Sequence, residues 1–254
     1  MEDGQGSSTA LIPPPPARPD VPGVTWRWWE AIVVFLIGTV VGALLAAPGA
    51  AAVDSKKWSE LILAGGAELG LGGTTFLWLW LLHRRSVRLI GLPERPAREL
   101  GVGALGGLAL YAGGVFVIGT VVEIVLHAAS HRRLHGPHQL PTHLTGGELV
   151  LAGITVILFA PVAEELFFRG FLFNSLRARH SFVFAGALSA LCFGAVHYQG
   201  GAWQNALLLP IVMCFVGFGL AFLYERRRNI VANIAAHATF NVIGFLFIAL
   251  VVNK

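Results

Sequence analysis

Residues 155–170 read TVILFAPVAEELFFRG, an uncharged, largely apolar run that ends in two adjacent glutamates and an arginine. The apolar part predicts a helix in lipid, and the charges then fall where the neighbouring side chains specify hydrocarbon. Outward from this stretch the chain repeats the apolar theme. Spans are predicted near 29–47, 61–82, 100–126, 149–176, 182–197, 206–224 and 230–252, the fifth of them short. A crossing helix needs roughly 20 mainly apolar residues, so the sequence predicts an all-α, polytopic membrane helix bundle of about seven (six to eight) transmembrane helices.

Composition agrees. Of 254 residues, 55% are hydrophobic and 13% charged, with a mean hydropathy of +0.69, whereas soluble domains carry about 25% charged residues. The apolar spans use most of the length and leave no room for a separate soluble catalytic domain. The net charge of +4 does not point to nucleic acid, because the arginines lie mostly in short connections beside apolar spans, as a topology signal does. Two cysteines, Cys192 and Cys214, each lie inside a span and form neither a disulfide framework nor a CxxC pair. The opening MEDGQGSSTALIPPPPARPD lacks the basic and apolar regions of a signal peptide. Its prolines favour an extended, solvated tail, so residues 1–25 are expected to be a disordered, Pro-rich cytoplasmic segment.

Basic residues orient the spans. Arg84, Arg85, Arg88, Arg95 and Arg98 follow the second span, Arg177 and Arg179 the fourth, and Arg226, Arg227 and Arg228 the sixth. Placing these connections inside puts the N-terminus in the cytoplasm and the C-terminus outside. The outer connections then carry Lys56, Lys57, Arg132 and Arg133, with Trp58 and Trp203 at the outer interface.

Helical geometry divides the charges of EELFFRG. Residues four apart share a face, so Glu165 and Arg169 pair, with the acid N-terminal to the base. Glu164 is turned about 100° away and lacks that partner. A charge at the centre of a membrane helix costs roughly 2.5–3.5 kcal/mol, and an intramembrane ionisable residue is a functional hypothesis by default. Other spans offer companions: LCFGAVH ends in His197, four residues after Phe193, and NIAAHATFN places His237 and Asn241 four apart. Counted from the basic end at about 1.5 Å per residue, Glu164, His197, His237 and Asn241 reach the inner half or middle of the bilayer. One carboxylate, two imidazoles and a carboxamide suit hydrolysis by activated water. The glutamate is a general base, a histidine shares the water, and the second histidine and the asparagine donate to an oxyanion. The same set also suits Zn²⁺ held by His197, His237 and Glu164, and spacing does not choose between the two. Taken singly, His197 reads as a packed interface residue and Asn241 as interhelical glue.

Rival hydrolytic designs are absent. No HExxH occurs; Asp3, Asp20 and Asp54 lie outside the spans, and Ser189 in ALSAL has no glycine-flanked signature. A separate candidate is HAASHRRLHGPHQLPTH, in which His127, His131 and His135 recur every four residues, followed by His138 and His143. They can line an accessory metal site, although solvated interfacial histidines explain them as well.

The three pieces Glu164-Glu165-Leu-Phe-Phe-Arg169, Phe193-Gly-Ala-Val-His197 and His237-Ala-Thr-Phe-Asn241 resemble the CPBP family of intramembrane proteases, also called the Abi or type II CAAX prenyl endopeptidase family. The resemblance covers roughly 148–245. It implies that Glu164 and His197 activate water, that His237 and Asn241 stabilise the oxyanion, and that Glu165 and Arg169, with Phe193, support the site. It favours a metal-free mechanism, with zinc as the older alternative. The expected domain plan is N-terminal transmembrane helices with a His-rich outer loop over 26–147, read from the spans, followed by a catalytic helix core over 148–254, where the resemblance lies. The partners expected are the lipid bilayer and a peptide or membrane-protein substrate, with no nucleic acid. Eukaryotic relatives trim prenylated proteins, whereas the Ala/Gly/Arg-rich composition here looks prokaryotic, so prenyl-protein processing is not the specific expectation. Two other classes fit the same residues: a non-catalytic membrane chaperone or immunity module, and a proton-coupled transporter.

Overall fold

The computed structural model describes residues 23–84, 90–91, 95–131, 141 and 143–252. Most of the expected tail, together with Arg85, Arg88, Arg132, Arg133, His135 and His138, lies outside the described residues.

Among the described residues every regular element is helical. Six helices are long and apolar enough to cross a membrane: α1 Trp28–Ala51, α2 Lys56–Leu82, α3 Pro96–Ser130, α4 Gly146–Arg177, α6 Trp203–Arg227 and α7 Ile230–Val251. Between α4 and α6 lies the shorter α5, Phe182–Ala195. The expected seven apolar helices are therefore present, with the fifth short, as its sequence indicates. Bulky side chains on the periphery, such as Leu44, Leu45, Leu105 and Phe116, are exposed, as an outer face against lipid requires.

Local chemistry sets the helix ends. Ser55 Oγ, Ser181 Oγ and Asn229 Oδ1 accept the backbone N–H of Trp58, Phe184 and Ala232, starting α2, α5 and α7. Each such cap satisfies a donor that the first helical turn leaves without a partner. Pro96 opens α3, where its missing N–H costs nothing. Arg228, at φ 50°, ends α6 in the left-handed conformation, and its N–H bonds the Tyr224 carbonyl at 2.7 Å.

The ends sort by charge. Arg227 pairs with Glu99, and Asn229 donates to the same carboxylate at 2.9 Å. Arg177 Nε donates to Glu225 at 3.0 Å, and the Ile230 N–H bonds the Gly91 carbonyl at 3.0 Å. Gly91 has φ 74°, and a Cβ there would fall on the Arg228 carbonyl, so only glycine fits. The described basic residues after α2, α4 and α6 thus gather at one end. At the other end Lys57 Nζ donates to the His143 carbonyl at 2.7 Å, beside Trp58.

Helix α4 is the hub, in contact with α1, α2, α5, α6 and α7. Glycine lets its neighbours close up. Gly38 and Gly42 of α1 lie against Gly66 and Gly70 of α2, so tightly that a Cβ on Gly42 would strike the Gly66 carbonyl. Without a hydrophobic force between helices in lipid, close backbone approach of this kind drives association.

Candidate active site

The EELFFRG helix is irregular where it carries charge. The regular turns Ala160–Glu165 lie between two wide, π-type segments, Thr155–Phe159 and Leu166–Phe173. Such insertions occur frequently at functional sites. In the first, the Ala160 N–H bonds back to the Thr155 carbonyl, five residues earlier. Continued by one residue, that pattern would pair the Val156 carbonyl with the amide of residue 161. Residue 161 is proline and has no N–H. The Val156 carbonyl instead accepts Asn241 Nδ2 at 2.7 Å.

Glu165 and Arg169 are both fully buried. Arg169 Nη1 donates to Glu165 Oε1 at 2.8 Å, and Nη2 to the Gly217 carbonyl of α6 at 3.0 Å. The guanidinium also lies over the Phe193 ring, 4.6 Å from its centroid. Asn233 Nδ2 donates to Glu165 Oε2 at 3.1 Å, and His237 Nδ1 lies 3.0 Å from Glu165 Oε1. The spacing-based pair is therefore present and larger than expected, because α7 contributes two members. Asn233 was missed, although Asn233, His237 and Asn241 stand four apart in NIAAHATFN and so share a helical face.

Glu164 points elsewhere. It lines a cavity of about 420 Å³ together with His197, His237, Asn241, Thr155 and Glu68. All four residues expected to carry the chemistry meet there. Glu164 Oε2 is buried without a hydrogen-bond partner among the described residues and lies 3.9 Å from His237 Nε2. Glu68 Oε2 and Thr155 Oγ1 are likewise buried and unpartnered. No sequence motif marked Glu68, which comes from α2.

Hydrogen bonds fix the imidazoles. The His197 backbone N–H turns to the Gly194 carbonyl at the end of α5, which frees the Phe193 carbonyl for His197 Nδ1 at 2.7 Å. A carbonyl only accepts, so Nδ1 carries the proton and, in the neutral ring, Nε2 is left as a base. His237 Nδ1 faces the carboxylate already held by Arg169, so it too is the donor. Its Nε2 can then donate only when the ring is an imidazolium.

Residues 146–243 match the type II CAAX prenyl endopeptidase Rce1-like family. Over that stretch, the chain is similar to the Rce1-like family. The matched segment holds all three motifs and spans α4 to most of α7, whereas α1–α3 lie outside it. "Putative membrane peptidase YdiL" of Bacillus subtilis (strain 168) is 39% identical over 84 residues, which cover 33% of this chain and 32% of that protein. An "Uncharacterized 24.3 kDa protein" of Escherichia coli is 27% identical over 181 residues, covering 69% of this chain and 78% of that protein. "UPF0177 protein YxdF" of Lactococcus lactis subsp. lactis (strain IL1403) is 29% identical over 87 residues, or 34% of this chain and 44% of that protein. The chain thus spans about a third of the length of the Bacillus relative. No solved structure matches the chain. The six apolar helices, with the family match, support a multi-pass membrane protein.

Among the described residues no three His, Cys, Asp or Glu side chains are grouped so that they could hold a metal ion. Glu164, His197 and His237 share a cavity without forming a ligand set, so no step below is routed through zinc. Of the loop histidines, His127, His131 and His143 are described and do not form such a group either.

Proposed function

We propose that this chain is an intramembrane endopeptidase that cleaves a peptide bond with water activated inside the bilayer, without a metal. The observation that carries the reading is Glu164. Its Oε2 is buried and without a hydrogen-bond partner in a cavity that also receives His197, His237 and Asn241. A carboxylate oxygen left without a partner in this cavity is suited to taking a proton from water, and His197 Nε2 is the second acceptor in reach of the same space. As the carbonyl becomes tetrahedral, the His237 imidazolium donates through Nε2 and Asn241 through the N–H that Val156 does not engage. Glu165 takes no proton in this scheme. It holds His237 in one ring orientation, and Arg169 holds Glu165.

The substrate class is a peptide or a membrane-protein segment entering from the lipid. The bundle lies with its arginine-rich end, and hence the start of α1, in the cytoplasm, and the end of α7 outside. The decisive experiment incubates the purified full chain with a quenched peptide library and compares wild type with Glu164→Gln. Cleavage by the wild type, lost in the variant and unchanged after rigorous chelation, is the expected result. Equal activity of the two proteins overturns the assignment, and loss of wild-type activity on chelation, restored by Zn²⁺, overturns the metal-free form.

A further inference from the structure

Hydrolysis of an amide requires two proton movements, one away from water and one onto the departing nitrogen. Glu164 and His197 provide for the first. Within the three motifs the second can draw only on the proton just taken from water, and the cavity holds one more acid, supplied by a helix outside the family match.

Glu68 sits in AGGAELGLGG on α2. Gly65, Glu68 and Gly72 are spaced i, i+3, i+7 and so share one helical face. That face meets α4: Gly65 abuts Thr155 and Gly72 abuts Ala163, the residue before Glu164. The two glycines bring the backbones together on either side of Glu68, which places its carboxyl in the cavity with Glu164. Oε2 of each is buried and without a hydrogen-bond partner among the described residues, and two carboxylates sharing one site repel when both are charged. The cavity holds two carboxyl groups, Glu68 and Glu164, whereas Arg169 is already engaged by Glu165. Burying two unpaired carboxylates together is expensive, which favours one of them keeping its proton.

We propose that Glu68 is the general acid of the reaction, resting on the protease reading above. Water adds its oxygen to the scissile carbonyl carbon and gives its proton to Glu164. As the C–N bond breaks, protonated Glu68 donates its proton to the nitrogen, which leaves as an amine. Glu164 then returns the water-derived proton to Glu68, so peptide and water become acid and amine with no other reactant.

The test uses the full chain, a library peptide that the wild type cleaves, and the 4-nitrophenyl ester of that peptide's acyl half, whose leaving group departs without protonation. Glu68→Gln is expected to lower kcat on the peptide about 100-fold or more with little change in KM. It is expected to cleave the ester within about threefold of wild type, since acid assistance is not needed there. Glu68→Asp, which retains a carboxyl should the glutamine variant fold poorly, is expected to keep the peptide-to-ester rate ratio closer to wild type than Glu68→Gln. Equal slowing of Glu68→Gln on both substrates, or full peptidase activity, overturns the proposal while leaving the protease reading intact. Retention of peptidase activity by Glu164→Gln overturns both.

Discussion

Glu164 and Glu165 are neighbours in sequence and opposites in environment. Glu165 has no exposed surface and accepts from Arg169, Asn233 and His237. Glu164 opens on a cavity and leaves Oε2 without any hydrogen-bond partner among the described residues. One peptide unit along a helix rotates the side chain by about 100°, and that rotation separates a carboxylate saturated with partners from one with an unpartnered oxygen. A saturated group cannot take a proton without breaking its own contacts, whereas an unsaturated one can. Stability and reactivity are therefore predicted to separate at this pair.

Substitution of each glutamate by glutamine gives the largest contrast. Glu164→Gln should lower peptide cleavage by roughly 10²–10⁴-fold, the usual worth of a positioned base, with the thermal unfolding midpoint nearly unchanged. Glu165→Gln leaves Arg169 buried and uncompensated, which costs about 3–5 kcal/mol. Loss of activity and a lowered midpoint should appear together. An unchanged midpoint in Glu165→Gln would show that the ion pair is not needed for folding, and the comparison would fail.

Arg169→Lys sharpens the same contrast at smaller scale. It keeps the charge but not the planar fork that reaches Glu165 and the Gly217 carbonyl at once. The loss of one charge-assisted bond predicts about 1.5–3 kcal/mol, read by denaturation in detergent. Cleavage should fall less than in Glu164→Gln, since the proposed base is untouched.

How much of this was legible in the sequence depends on how local each feature is. The Glu165–Arg169 pair follows from spacing on one helix, and the structure bonds those two atoms directly. The meeting of Glu164 with His197, His237 and Asn241 needed only helix count and approximate depth, and the four line one cavity. Glu68 was invisible for the opposite reason. A single acid among glycines on α2 has meaning only through the rotation of α2 against α4, which no periodicity within α2 reports. The grip of His237 on Glu165 was hidden in the same way, because it sets α7 against α4 at side-chain precision. Asn233 was within reach, standing one turn before His237 in a stretch already singled out, but its partner lies on another helix. Short-range geometry carried the charges, and interhelical rotation decided the rest.

The smallest effect separates two roles carried by one side chain. Asn241 fills the bond that Pro161 denies to the Val156 carbonyl, and the reaction scheme also makes it an oxyanion donor. Asn241→Ala alone should lose about 1 kcal/mol of stability, the net worth of one hydrogen bond, along with activity. Pro161→Ala restores an amide N–H at residue 161, which in a wide turn reaches Val156. In that background Asn241→Ala should cost less stability, a coupling that a double-mutant cycle measures directly. Activity should stay low, because the new N–H lies within α4 and does not face the substrate carbonyl. Recovery of both would make Asn241 only a plug for the gap left by proline. Recovery of neither would mean that the Val156 carbonyl is not what Asn241 serves.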